Sequence, residues 1–330
     1  KLNIMAILCK VSRGDFTESI HVVFAVVVDG SDNIVYSTGD PHYLTCVRSS
    51  LKPFQAAAAI REGSVDTAGF TDDEIALMCA SHMGEDIHVQ TAKRMIDKLG
   101  FDLNNYECGV HPSADRVSRY KQIKNGPEPD ALNNNCSGKH AGMLALAKHL
   151  VGDPVGYTNL EHPVQQTIIR VLKEYTGLND IQTGIDGCSA PTPFLTLEVI
   201  ARLFQLLSSG KFPELDRVFD AMVAHPYNIS GKDQFDTLFI EALQGRGITK
   251  GGGESVRGIS LKKKNGNSIG IALKVLDGHH RAMPLATMTL LKHLDLLSDK
   301  ELTSLSRFQR KTLRNHRNIE IGNIEAIVEM

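Results

Sequence analysis

The sequence predicts an α+β fold, in which an antiparallel sheet formed by both chain ends carries an all-helical insertion. Three observations point to it. β-Branched runs and two-residue alternation cluster before residue 50 and after residue 250. Helical periodicities closed by glycines fill the stretch between. The 330 residues are 42% hydrophobic and 22% charged, ordinary usage for a folded chain of about two domains.

Val22–Val28 is a β-branched run, Asp29-Gly30-Ser31-Asp32 a turn and Ile34–Tyr36 the returning strand of a hairpin. Leu51–Glu62 is an Ala-rich helix that ends before Gly63. Ile87, Thr91, Met95 and Leu99 step by four and stop at Gly100. His140–Leu150 reads as a helix, and Val164, Ile168, Val171, Leu172 and Tyr175 mark another that ends at Gly177. Phe194–Leu207 and Asp233–Leu243 complete the helical middle. Strands return with Ser255–Leu261, then a turn through Lys262-Lys263-Lys264-Asn265-Gly266. Ile269, Ile271, Leu273 and Val275 alternate with Ser268, Gly270, Ala272 and Lys274. Arg281–Leu297 reads as one long helix. The expected organisation is a discontinuous sheet subdomain of residues 1–50 and 250–330, a mainly helical subdomain of residues 51–249, and an active site between them.

Charge and cysteine usage narrow the function classes. Lys+Arg 36 against Asp+Glu 38 leaves a net charge of −2, without the basic excess of a nucleic-acid binder. The longest apolar run, Val22–Val28, falls far short of the roughly 20 residues of a spanning helix. The apolar opening Leu2–Leu8 has no small-residue cleavage site after it. Six cysteines at 9, 46, 79, 108, 136 and 188 are spread too widely for a small disulfide scaffold. The expectation is a reduced, cytoplasmic protein that acts on a small molecule, with no nucleic acid and no membrane partner.

Ser49-Ser50-Leu51-Lys52 places a serine and a lysine three apart at the start of a helix, where the two side chains share a face. Backbone N–H groups at a helix start can also hold an oxyanion. A serine hydroxyl is a poor nucleophile without a base, and a lysine serves only as the neutral amine. Ser81, in Cys79-Ala80-Ser81-His82, leaves a buried stretch, and Lys250-Gly251-Gly252 precedes a returning strand. The order Ser49/Lys52, Ser81, Lys250 is that of penicillin-recognising serine enzymes, with Gly in place of Thr in the last motif and no Asn after Ser81. It predicts a double Ser–Lys site for acyl transfer. Two polar loops, Asn133–His140 and Asp186–Pro193, contribute Cys136, Lys139, His140 and Cys188. Those residues suit a soft divalent metal, but spacing alone favours two free buried cysteines.

Taken together, Arg48-Ser49-Ser50-Leu51-Lys52-Pro53, Cys79-Ala80-Ser81-His82, Cys108-Gly109, His111-Pro112, Asn135-Cys136-Ser137-Gly138-Lys139-His140, His162-Pro163 and Asp186-Gly187-Cys188 resemble the Rhizobium-type (class 3) L-asparaginases. The match runs from about residue 12 to the C-terminus. The resemblance implies a fold similar to serine β-lactamases and glutaminases, and hydrolysis of L-asparagine to L-aspartate and ammonia. It implies Ser49 as nucleophile with Lys52 as its base, Ser81 and Lys250 as a second pair, and Zn2+ on Cys136, Lys139 and Cys188. It implies Asp186 and His140 as substrate contacts, with Arg48 or His82 for the substrate carboxylate, and a homodimer. A glutaminase or other serine-dependent amide hydrolase stays open, as does a non-catalytic amino-acid-binding protein on the same scaffold.

Overall fold

The computed structural model describes residues 6–263 and 266–328. The expected turn residues Lys264 and Asn265, and the opening residues before Ala6, lie outside them. In chain order come β1 (Ile7–Arg13), β2 (Phe16–Asp29), β3 (Ile34–Thr38) and β4 (Leu44–Cys46). Then follow α1 (Lys52–Arg61), α2 (Ser64–Thr67), α3 (Asp72–Met78), α4 (Asp86–Leu99), α5 (Arg116–Asn125), α6 (Ser137–Leu150) and α7 (Pro163–Thr176). After β5 (Thr183–Ile185) and β6 (Pro191–Thr196) come α8 (Leu197–Leu206), α9 (Pro213–Ala224), α10 (Pro226–Ser230) and α11 (Phe235–Leu243). The chain closes with β7 (Gly247–Gly252), β8 (Val256–Lys262), β9 (Ser268–Val275), α12 (Met283–His293), α13 (Asp299–Ser304), β10 (Arg310–Arg314) and β11 (Glu320–Val328).

These elements form two compact units. The first comprises residues 1–50, 195–209 and 242–330. It holds an eight-stranded antiparallel sheet in the order β10-β11-β1-β2-β9-β8-β7, with β3 paired to β2. The 14-residue β2 is long enough to border β1 with its first half and β3 with its second, while β9 runs along its other edge. The predicted hairpin of residues 22–36 is therefore present, as is the pairing of strands from both chain ends, where β1 joins β11.

The strict alternation in β9 does not make one face wet, because all eight of its residues are buried. Its small set, Ser268, Gly270 and Ala272, faces α8. A Cβ on Gly270 would run into the Ala201 carbonyl, and Gln205 Nε2 donates to Ser268 Oγ. The register puts Ile269, Ile271, Leu273 and Val275 on the opposite face, with Ile7, Cys9 and Val11 of β1. There α12 covers the sheet, Leu285 packing on Val11 and Ile324. Residues 195–209, placed by sequence in the helical middle, thus pack with the sheet, because glycine lets α8 lie directly on it. The expected long helix 281–297 is shorter: a 3-10 turn, His280–Ala282, precedes α12, and Asp295 leaves the helix at φ +50°.

The second unit, residues 51–194 and 210–241, is helical around a short β5–β6 pair. α6 is buried at every position from Ser137 to Ala147, and α1 from Lys52 to Ile60, so both are central helices with no solvent face. α4 and α7 are amphipathic and stop at Gly100 and Gly177, which adopt the left-handed φ of +67° and +70° that the sequence predicts for those stops.

Candidate active site

Lys52 is the first residue of α1 and is 1% exposed. Burying an ammonium is costly unless it is hydrogen-bonded. Its Nζ donates to the Ala80 carbonyl at 2.5 Å, to Ser81 Oγ at 3.0 Å and to the Asn135 carbonyl at 3.3 Å. Three chain segments therefore converge on one amine: the start of α1, the loop after α3 and the turn before α6. Pro53 at the second helical position leaves this geometry undisturbed, since first-turn N–H groups have no helical acceptor.

Each segment is held by its own bonds. Ser81 N–H donates to the Ile229 carbonyl at 2.9 Å. Asn134 ties the turn before α6 to residues 108–109, its Nδ2 donating to the Cys108 carbonyl at 2.9 Å while its Oδ1 accepts from Cys136 N–H at 2.9 Å. Gly138 admits α6 to the end of α3, because a Cβ there would meet the Leu77 carbonyl. That close approach puts Cys136 and Lys139 alongside Lys52.

The sulfurs and Lys139 form a charged cluster. Lys139 Nζ lies 2.8 Å from Cys188 Sγ. The Cys188 thiol donates to the Cys136 sulfur, and Lys52 and Lys139 attract it. Together these outweigh burial and hold Cys136 well below the ordinary thiol range. The shared hydrogen bond and burial push Cys188 up. Burial pulls Lys139 down, but the two sulfurs outweigh it and keep Lys139 above the ordinary lysine range. Cys136 is thus the more acidic of the two sulfurs, and its Sγ lies 3.0 Å from Asn135 Oδ1. Asp186 is half-buried in a tight turn, with Oδ1 accepting Gly187 N–H at 2.8 Å and Oδ2 3.9 Å from Cys188 Sγ.

The histidines are more enclosed than substrate contacts read from sequence. His82 is 1% exposed; its Nδ1 accepts from Gly84 N–H at 3.1 Å and its Nε2 lies 2.9 Å from Ser137 Oγ. Its ring stacks on His88, which stacks in turn on Tyr227. Burial, then the charges of His88, Lys52 and His111, lower His82 well below the ordinary value of 6.5. His82 is therefore neutral and supplies no positive charge to a carboxylate. His140 is wholly buried against Tyr157.

Ser49, Arg48 and Lys250 belong to the sheet unit. Ser49 is half-buried in the 3-10 turn Arg48–Leu51 that runs straight into α1. Arg48 has φ +49° and pairs with Glu254 at 3.7 Å. Lys250 lies on the edge strand β7, is 1% exposed and donates to the Gly251 carbonyl at 2.7 Å. Tyr157, Ser137 and Glu107 are structural partners that sequence reading did not single out. They act across separations of 17 to 55 residues, so no local pattern announces them.

The sequence model of the L-asparaginase II family matches residues 9–326. The chain belongs to that family. Membership places it among asparaginase-type hydrolases. No curated protein matches the chain. Among solved structures, a β-lactamase from Sphaerobacter thermophilus is 11% identical with a TM-score of 0.44, over 84% of this chain and 92% of that one. A mutant of PBP-A in an acyl-enzyme complex with penicillin G is 13% identical with a TM-score of 0.41, over 84% and 91%. Among the described residues no helix is long and apolar enough to cross a membrane.

The buried histidines make stability depend on pH. The unfolded chain takes up a proton at His82 near pH 6.5, whereas the folded chain does so only far below that. Stability is therefore full above 6.5 and falls as pH drops through it. His82 alone should cost on the order of 1 kcal/mol between pH 7.5 and 5.5, and His88, lowered chiefly by burial, acts in the same direction. Denaturant titrations at both pH values should show the loss and a smaller loss in His82→Asn. Equal slopes in the two proteins contradict a neutral buried His82.

Proposed function

We propose that this member of the family converts L-asparagine to L-aspartate and ammonia through a serine acyl-enzyme. The observation that carries the reading is Lys52 Nζ at 3.0 Å from Ser81 Oγ, two side chains 29 residues apart that the sequence marked out for one reaction. Ser49 Oγ attacks the side-chain amide carbon, and its proton passes to the amine form of Lys52. Backbone N–H groups at the helix start support the oxyanion. The C–N bond then breaks. The departing nitrogen takes the Ser81 hydroxyl proton, Lys52 refills Ser81, and ammonia leaves with the proton that Ser49 lost. Water cleaves the ester by the same route reversed, giving its proton to Lys52 and restoring Ser49. Ser81 and Lys250 are assigned as the second serine–lysine pair. Asp186 takes the substrate ammonium. Arg48 takes its carboxylate, a role the neutral His82 does not fill.

The same proposal includes a zinc ion on Cys136, Lys139 and Cys188. The donor set fits: two hydrogen-bonded sulfurs and an amine 2.8 Å from one of them suit a soft divalent ion. Among the described residues no group of three His, Cys, Asp or Glu offers a competing site. Bound there, zinc supplies a cross-link between α6 and the 186–190 turn with little net charge, because two thiolates offset its own. Lys139 and Cys188 must give up protons to ligate, so affinity weakens as pH falls. The homodimer belongs to the same proposal on the family resemblance alone, and the cytoplasmic location on the wide spread of the six cysteines.

Ammonia release from asparagine and glutamine tests the activity. Folded Ser49→Ala and Lys52→Ala should each lose at least about a thousandfold in kcat, with no further loss in the double variant, because the pair acts as one unit. kcat/KM should rise with pH through the alkaline range, and a rate flat from about pH 6 to 10 contradicts a lysine base. Faster turnover of glutamine than asparagine would make the enzyme a glutaminase.

Elemental analysis tests the metal. One zinc per chain is expected, with chelation raising KM for asparagine more than it lowers kcat. Freshly purified, metal-free protein that is fully active and indifferent to added zinc contradicts the site.

A further inference from the structure

His140 is held by a hydrogen-bond arrangement that serves none of the steps above. Its Nδ1 lies 2.7 Å from the Tyr157 hydroxyl, and that hydroxyl also accepts the Glu107 backbone N–H at 2.9 Å. Tyr157 has little freedom to move. It is fully buried, its carbonyl accepts Gln165 Nε2 at 2.8 Å, and the Glu107 carboxylate accepts from Gly156 and Thr158 N–H at 2.7 and 3.1 Å. Glu107 thus clamps the turn that carries Tyr157 and aims its own N–H at the phenol.

Counting hydrogens fixes the histidine tautomer. The phenol has one hydrogen to give. With Glu107 N–H donated to its oxygen, that hydrogen has Nδ1 as its acceptor. The proton of the neutral ring then sits on Nε2. The opposite tautomer would bury both the phenol hydrogen and the Nε2 lone pair without partners, whereas this one leaves a single unmatched donor. Nε2 is indeed buried and has no hydrogen-bond partner among the described residues. Buried donors of that kind are rare, because an acceptor is normally supplied. The ring sits on the first turns of α6, next in sequence to Lys139, its backbone N–H bonded to the Cys136 carbonyl at 3.0 Å.

We propose that Tyr157 is a positioning residue that fixes His140 as the Nε2–H tautomer, so that the substrate contact the family resemblance expects of His140 is made by an N–H donating to a carbonyl or carboxylate oxygen. Such a donor selects oxygen over an ammonium or amide nitrogen at that point. The identity of the substrate rests on the function proposed above; the tautomer does not.

Nitrogen-15 NMR of histidine-labelled protein tests the inference. Among the 13 histidines, the His140 signal is the one lost in His140→Gln. The wild type should show a neutral ring protonated at Nε2, with that nitrogen shifting when aspartate saturates the site. In Tyr157→Phe the ring should become a tautomer mixture, and KM for asparagine should rise about tenfold while kcat changes less than about threefold. A His140 protonated at Nδ1 in the wild type overturns the proposal. So does an unmoved Nε2 signal with aspartate, a result that needs no folded Tyr157→Phe protein. Unchanged tautomer and KM in Tyr157→Phe overturn it as well. A wild type that releases no ammonia from asparagine would defeat the proposed function while leaving the tautomer measurement decisive.

Discussion

A lysine amine with almost no access to water, bound to a serine hydroxyl, is the constraint on which the helical unit depends. Lys52 cannot be buried without acceptors, and its acceptors come from three segments of chain, at Ala80, Ser81 and Asn135. Removing any one would leave a charged group short of a hydrogen bond, worth on the order of 1.5–3 kcal/mol when an ion is involved. The start of α1, the loop after α3 and the turn before α6 are thereby held in one arrangement. Lys52 is thereby positioned by the fold itself, as the proposed general-base chemistry requires.

Charge in this unit is balanced by sulfur. Cys136 lies among Lys52, Lys139 and Cys188, and the attraction that lowers its thiol raises Lys139. Around this charged centre the histidines are kept neutral by burial. Their hydrogen bonds, His82 to Ser137 and His140 to Tyr157, tie loops to α6 without adding charge. Amines, sulfurs and neutral rings thus occupy separate positions, the acidity of each set by its environment and not by residue type alone.

Much of this was legible in the sequence, and the exceptions share a cause. Helix ends at Gly100 and Gly177 could be read because the left-handed turn is a local requirement. The β9 period could be read, but its two-sided burial could not, since it depends on α8 reaching Gly270 from elsewhere in the chain. The serine–lysine spacing at Ser49 and Lys52 marks out a lysine that the structure buries and bonds to Ser81. The partner that the structure gives Lys52, Ser81, was named only as part of a different pair. His82 is one of two residues the resemblance offers for the substrate carboxylate, and nothing near it in sequence shows its burial or its stacking on His88 and, through it, Tyr227. Tyr157 and Glu107 carry no motif, being joined across 50 residues by a backbone N–H that any residue could have supplied.

The central claim is that the Ser49 hydroxyl becomes acylated. The most direct measurement is mass spectrometry of the protein after reaction with an electrophilic asparagine analogue that forms a stable ester or ether, followed by peptide mapping. The account predicts one adduct per chain, on the peptide containing Ser49, blocked by excess aspartate and absent from a folded Ser49→Ala protein. A stoichiometric adduct on another residue, or full inactivation of the enzyme with no adduct on Ser49, would contradict it.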